Sequence, residues 1–138
     1  SGREPVFRVT GVDWPTRDGT GIRDYIHVWD LASAHVNAVE RFDEALGSGI
    51  DRNDSHLVIN LGTGRGITVR ELVAAFESVI GRPIPKEDAP PRPGDVAGAY
   101  ANADTALKLL GWHAELTIEQ AISDAIKWNE LRQRLPGR

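Results

Sequence analysis

The run D-G-T-G-I-R-D-Y-I-H-V-W-D-L-A-S-A-H, from Asp18 to His35, carries three unlike devices in one short stretch. Gly19 and Gly21 make a mobile turn that delivers Arg23. Tyr25 to Trp29 has the β-branched and aromatic density of a short strand. Asp30 then stands where it can cap a helix beginning at Leu31. A lone guanidinium thus sits at a loop-to-strand junction, where a rigid element positions a loop side chain and function concentrates. The planar fork of arginine suits two-point capture of a phosphate. The same side chain could equally form an exposed ion pair with Asp18 or Asp24, and spacing alone leaves both open.

Working outward, Val6 to Val9 reads as a strand fragment, followed by a loop rich in Gly, Asp, Thr and Pro. Beyond the decisive run, Leu31, Ala34, Ala38, Val39 and Phe42 recur at helical spacing. Gly47, Gly49 and Asp51 to Asp54 end that helix in a polar loop. His56 to Leu61 (H-L-V-I-N-L) is apolar almost throughout, which predicts a buried strand. A glycine turn, Gly62 to Gly66, follows. Thr68 and Glu71 form a capping box at the head of a helix with Val69, Leu72, Val73, Phe76, Val79 and Ile80 on its apolar face. Gly81 and Pro83 stop it. Pro85 to Pro93 reads as an extended proline-rich loop, and about Ala103 to Leu110 as a short helix stopped by Gly111. Thr117 and Gln120 make a second capping box. The last helix runs through Trp128 towards Leu135, with Ile118, Ala121, Ile122, Ala125 and Ile126 inward, and Pro136–Gly137 ends it. Three short strands alternating with four helices give an α/β class. A freestanding doubly wound domain carries more strands than that. The pattern reads as one segment, residues 1–138, from the distal part of a larger enzyme whose Rossmann core is largely elsewhere.

Composition narrows the function classes. The chain has 138 residues, 41% of them hydrophobic, enough for a real core and too many for a disordered chain. It has no cysteine, so disulfides, a thiolate nucleophile and a Cys-ligated zinc are excluded, which is compatible with a cytoplasmic origin. A net charge of −4 gives no general basic field for nucleic acid. No apolar run reaches membrane-spanning length, and Ser1–Gly2–Arg3 starts no signal peptide. His27 and His35 flank Asp30 but lack metal-ligand spacing, and no G-x-S-x-G elbow supports a serine nucleophile. Lys127, Arg132, Arg134 and Arg138 read as a helix end complementing its own dipole.

Two further stretches carry candidate chemistry. In R-P-G-D, Arg92 to Asp95, Pro93 and Gly94 make a turn able to hold a guanidinium and a carboxylate together. Such a pair can take a phosphate and a ribose diol; four residues alone fit a surface turn with a local ion pair as well. The G-T-G-R-G turn follows an expected strand and precedes a helix, but it is not G-x-G-x-x-G and lacks the acidic residue on a following strand. Spacing favours a tight strand-to-helix connection there.

The Asp18–His35 run closely resembles, without a gap, the D-G-T-G-x-R-D-Y-I-H-V-x-D-L-A-x-x-H signature of UDP-glucose 4-epimerases, which are extended short-chain dehydrogenase/reductases. N-L-G-T-G at Asn60 to Gly64 and R-P-G-D at Arg92 to Asp95 also resemble strings of that family. The resemblance implies that Arg23 and Arg92 hold the diphosphate of a UDP-sugar and that Asp95 meets the uridine ribose. It implies that Ala99 lines the hexose pocket, where a small residue admits an N-acetyl group; an ordinary core alanine is the competing reading. The family's chemistry requires NAD and a tyrosine base followed four residues later by lysine. Here Tyr25 is followed by Trp29 and Tyr100 by Asp104, so neither is that pair, and no catalytic residue is assigned. The resemblance therefore implies a C-terminal substrate-binding portion of an NAD-dependent 4-epimerase. Its NAD-binding N-terminal half would be a missing partner, and the segment itself would bind no cofactor. A related nucleotide-sugar epimerase or dehydratase, or a standalone nucleotide-sugar-binding module, are the alternatives. A segment so separated is also expected to self-associate through uncovered apolar surface.

Overall fold

A computed structural model describes residues 6–49 and 56–134. The polar loop read at Asp51 to Asp54 and the stop at Pro136–Gly137 lie outside them. The described residues fall into two compact units, one drawn from Ser1–Arg23, Ile67–Ala99 and Thr117–Arg138, the other from Asp24–Gly66 and Tyr100–Leu116.

The first unit holds β1 (Phe7–Thr10), β2 (Ile22–Arg23), β3 (Ile67–Thr68), α3 (Val69–Ile80), β4 (Lys86–Ala89) and α5 (Ile118–Arg134). β1 pairs in parallel with β4 in the register Phe7–Lys86 to Thr10–Ala89. β2 pairs antiparallel with β3. The strand inside Pro85 to Pro93 corrects the loop reading. K-E-D-A has little strand propensity, and its order comes from a partner far away in sequence, with Arg8 Nε bonding Glu87 Oε1 at 2.7 Å. α3 begins as expected: Thr68 accepts from Glu71 N, and the Glu71 side chain accepts from Thr68 N. Gly81 ends it in the left-handed region at φ +70°. The second capping box also forms, Thr117 N donating to Gln120 Oε1 and Gln120 N to Thr117 Oγ1. α5 packs on α3 through a face that includes buried Ile122, while Ala125 is exposed rather than inward. Arg132 and Arg134 do occupy its last turn.

The second unit holds α1 (Val28–Glu40), α2 (Phe42–Gly49) and α4 (Asp104–Leu110) around Ala34, Ala45, Ala106, Leu110 and Trp112. Several expectations fail here. Tyr25 to Trp29 is not a strand, and α1 starts at Val28 with His27, not Asp30, as its cap. His27 Nδ1 accepts from Trp29 N at 2.9 Å, a role that the count of β-branched and aromatic residues conceals. Asp30, buried in the first turn, instead accepts from Glu115 N and Leu116 N at 3.2 and 3.0 Å. Trp112 Nε1 donates to Asp30 O and Ser33 Oγ at 3.1 and 2.9 Å, so this corner is a structural staple. The single helix expected through Phe42 breaks at Arg41 into two, and Gly47 and Gly49 fall within the second. His56 to Leu61 makes no strand ladder among the described residues and is only half covered. Leu57, Ile59 and Leu61 pack on the core, whereas Val58 is 74% exposed. Among the described residues four short strands and five helices thus replace the three and four expected, and the α/β class stands.

Candidate functional site

The loop that delivers Arg23 is tied down rather than mobile. Thr20 N and Oγ1 donate to Asp18 Oδ1 at 2.9 and 2.7 Å, and Thr68 Oγ1 donates to Asp18 Oδ2 at 2.5 Å. Gly19 sits at φ +83°, where a Cβ would lie 2.1 Å from Val12 O. Only glycine fits that turn. Thr20 and Thr68 are fully buried. Burial pushes the Asp18 carboxyl up, but the hydrogen bonds from Thr68 and Thr20 outweigh it and hold the group below the ordinary range. Glu71 anchors the same corner through Arg17, whose Nε donates to its Oε1 at 2.7 Å.

The other candidate partner of Arg23 is also committed. Asp24 accepts from Thr63 N and Oγ1 at 2.9 and 2.6 Å and from Ala101 N at 3.0 Å. Burial raises its carboxyl, and these bonds, with one from Gly64 N, bring it below the usual value. Asp18 and Asp24 are therefore not the ion partners of Arg23. The guanidinium is exposed, with Nη1 donating to Ile22 O at 2.7 Å. Among the described residues that single neutral contact leaves donors of a permanently charged group facing water.

Ile22 brings the second motif alongside. Its N–H donates to Ala97 O at 2.8 Å, and it forms a parallel bridge with Gly98. Gly98 has φ +124°, and a Cβ there would lie 1.8 Å from Ile22 O and 2.7 Å from Arg23 Nη1. This glycine lets the 97–98 backbone press against β2, and sequence reasoning missed it. Its signal was a lone glycine, where a bulge or close backbone approach is the usual cause. Four residues earlier, R-P-G-D forms a turn with Asp95 N donating to Arg92 O at 3.0 Å and Gly94 at φ +86°, the type II pattern. The Asp95 carboxylate accepts from the Arg92 backbone N–H at 3.0 Å. The turn thus holds the carboxylate on the arginine's main chain, while the Arg92 side chain is exposed. Ala99 is exposed in this chain. Arg23, Arg92, Asp95 and Ala99 all belong to the first unit.

Other candidates resolve structurally. At Gly62 a Cβ would lie 2.4 Å from Asp24 Oδ2 and 2.7 Å from Ala101 Cβ, so packing accounts for this glycine. The Asp24 carboxylate lies against the inner side of this turn and accepts from Thr63 N. A cavity of about 350 Å³ in the second unit is lined by Trp29, Asp30, Trp112 and His113 among others, and contains none of the four candidate residues. Among the described residues no cluster of three His, Cys, Asp or Glu could hold a metal, and no helix is long and apolar enough to cross a membrane.

The chain is 48% identical over 127 residues to UDP-glucose 4-epimerase 3 of Oryza sativa subsp. japonica, covering 92% of the chain and 32% of that protein. It is similar to a portion of the UDP-glucose 4-epimerases. The crystal structure of UDP-glucose 4-epimerase from Bifidobacterium longum in complex with NAD+ and UDP matches with a TM-score of 0.78 at 44% identity, over 91% of this chain and 35% of that one. The epimerase of Stenotrophomonas maltophila, with bound NAD and formylated UDP-arabinopyranose, matches with a TM-score of 0.82 at 43% identity, over 95% and 37%. No family model matches. The chain thus spans about a third of the length of these epimerases, as a C-terminal portion would.

Proposed function

We propose that this chain is the C-terminal UDP-sugar-binding portion of an NAD-dependent UDP-glucose 4-epimerase, an isomerase that interconverts UDP-glucose and UDP-galactose. In the intact enzyme NAD supplies transient oxidation at C4; no part of that chemistry is assigned to residues of this chain. Arg23 and Arg92 grip the diphosphate, Asp95 receives the ribose hydroxyls, and Ala99 leaves room beside the hexose. The observation that carries this reading is the state of Arg23. Both neighbouring carboxylates are occupied by threonine and backbone donors. The guanidinium is left exposed next to the segment that leads out of the R-P-G-D turn. A surface arginine kept only for an ion pair would use one of those carboxylates. The epimerases solved with UDP and with a UDP-pentose bound give the likeness its ligand class.

The test is substitution in an intact enzyme containing this segment. Arg23→Ala and Arg92→Ala are each expected to weaken UDP-sugar binding by about tenfold to a hundredfold, since a hydrogen bond to a charged group contributes roughly 1.5–3 kcal/mol. Lysine at either position is expected to restore only part, because the two-pronged fork is lost. Normal binding by both alanine variants, measured by calorimetry, would reduce these arginines to surface charge.

A further inference from the structure

We infer that the cavity at the head of α1 binds an organic cation bearing N–H donors, a primary ammonium or a guanidinium, held by Asp30, Trp29 and Glu115. The cavity lies within the second unit and involves none of the proposed UDP-sugar residues. Its volume of about 350 Å³ suits a small ligand or one side chain.

Asp30 supplies the first observation. It is only 5% exposed, and a carboxylate so buried ordinarily has partners on both oxygens. Here both backbone donors, Glu115 N and Leu116 N, go to the same oxygen, Oδ2. Oδ1 accepts no hydrogen bond among the described residues, yet it is not one of the sealed, partnerless atoms. It therefore opens on the cavity that Asp30 lines. A carboxylate oxygen only accepts, so its complement is a donor, and a charged donor binds best.

The other walls fit the same ligand. Trp29 is 73% exposed and lines the cavity, so its indole offers a π face to a cation. Buried Trp112 and Leu116 give the apolar side that an alkyl stem needs. Trp112 Nε1 is already spent on Asp30 O and Ser33 Oγ. Glu115 adds a second carboxylate, with Oε1 3.8 Å from His113 Nε2, beyond hydrogen-bond reach. No lysine or arginine is among the lining residues; Arg41, which packs against Gly111, is not one of them. An anion would meet two carboxylates here, and a quaternary ammonium would bring Oδ1 no donor.

An NMR titration of the isotope-labelled chain tests this with n-butylammonium, n-butylguanidinium, n-butanol and tetramethylammonium. The first two are expected to saturate in the millimolar range, moving the Trp29 indole N–H and the amides of Asp30, Glu115 and Leu116. Butanol and tetramethylammonium should each bind at least about tenfold more weakly, lacking the charge or the donor. Trp29→Ala should weaken butylammonium by about fivefold without lowering the melting temperature, because that ring is already in water. Asp30→Asn keeps an acceptor for the two backbone donors and puts an NH2 group where Oδ1 stands, so it should abolish binding; if it does not fold, Trp29→Ala and Glu115→Gln decide. Nα-acetyl-lysine amide separates the sources. Binding equal to butylammonium would support a basic side chain presented by another protein, and binding of the free amine alone would support a small metabolite. No saturation, shifts spread over the surface, or butanol binding as well as butylammonium would overturn the inference. The readout is amine binding at Asp30, so failure of UDP to bind would leave it untouched.

Discussion

Arg23 is defined by what its neighbours are doing. Asp18 and Asp24 flank it in sequence, yet each carboxylate accepts from threonine and backbone donors instead. Gly98 then sets how close the second motif can come. Gly98→Ala places a methyl group against Ile22 O and Arg23 Nη1 at a φ that side chains avoid. The expected cost is about 1–3 kcal/mol or more, read as a lowered melting temperature together with weaker UDP binding. Equal stability of the alanine variant would show that the close approach is not required. On the proposed reading, Ala99→Tyr fills space beside the hexose. In an intact enzyme it is expected to depress turnover of UDP-N-acetylhexosamines more than of UDP-hexoses, and an unchanged ratio of kcat/KM would place Ala99 away from the pocket. Arg23 was a candidate because it sits in a long, gap-free string, Arg92 and Asp95 because of the four residues R-P-G-D, and Ala99 because of its place four positions after Asp95. What was not legible was the backbone hydrogen bond from the Arg92 N–H to Asp95, because turn geometry and not composition decides whether the guanidinium or the main chain meets the carboxylate.

Helix starts were the most readable elements, because a capping box is written within four residues. Thr68 and Glu71 behaved as read, and the structure adds Arg17 and Asp18 to them. Thr68→Ala removes the cap of α3 and a donor to Asp18, and is expected to cost about 0.5–2 kcal/mol in thermal or urea unfolding. Glu71 makes the same corner acid-sensitive. Its hydrogen bonds with Arg17 and the Thr68 N–H hold its carboxyl at about 2, against an ordinary 4.5. A depressed folded value means stabilisation that is complete above about 4.5 and is lost as pH falls towards about 2. Glu71→Gln should therefore flatten the pH dependence of unfolding within that window, and an unchanged slope would show that the carboxylate does not contribute. Strands were the poorest reading. β1 and β4 pair residues 79 positions apart, and K-E-D-A offers no local sign of it. Tyr25 to Trp29 has strand composition, yet its centre is a cap, since the imidazole of His27 reaches the Trp29 N–H. His56 to Leu61 alternates in burial but joins no strand ladder among the described residues, which no composition can report.

At the scale of the molecule, the described residues fall into two compact units. The first contains the four proposed UDP-sugar residues, and the second packs three helices and an extended apolar segment around a small core. Neither Tyr25 nor Tyr100 has a lysine four residues on, so the proposed reading expects no interconversion of UDP-galactose and UDP-glucose by the chain alone with added NAD. Turnover above a blank would contradict it. The central claim is that this chain grips the nucleotide of a UDP-sugar, and chemical-shift mapping of the isolated chain with UDP and with NAD tests it most directly. The account predicts weak, saturable UDP binding, because the rest of the pocket is not there to pre-organise it. The shifts should centre on Arg23 and on Arg92 to Ala99, with NAD binding more weakly. Tighter binding of NAD, with shifts centred on Gly62 to Gly66, would contradict it.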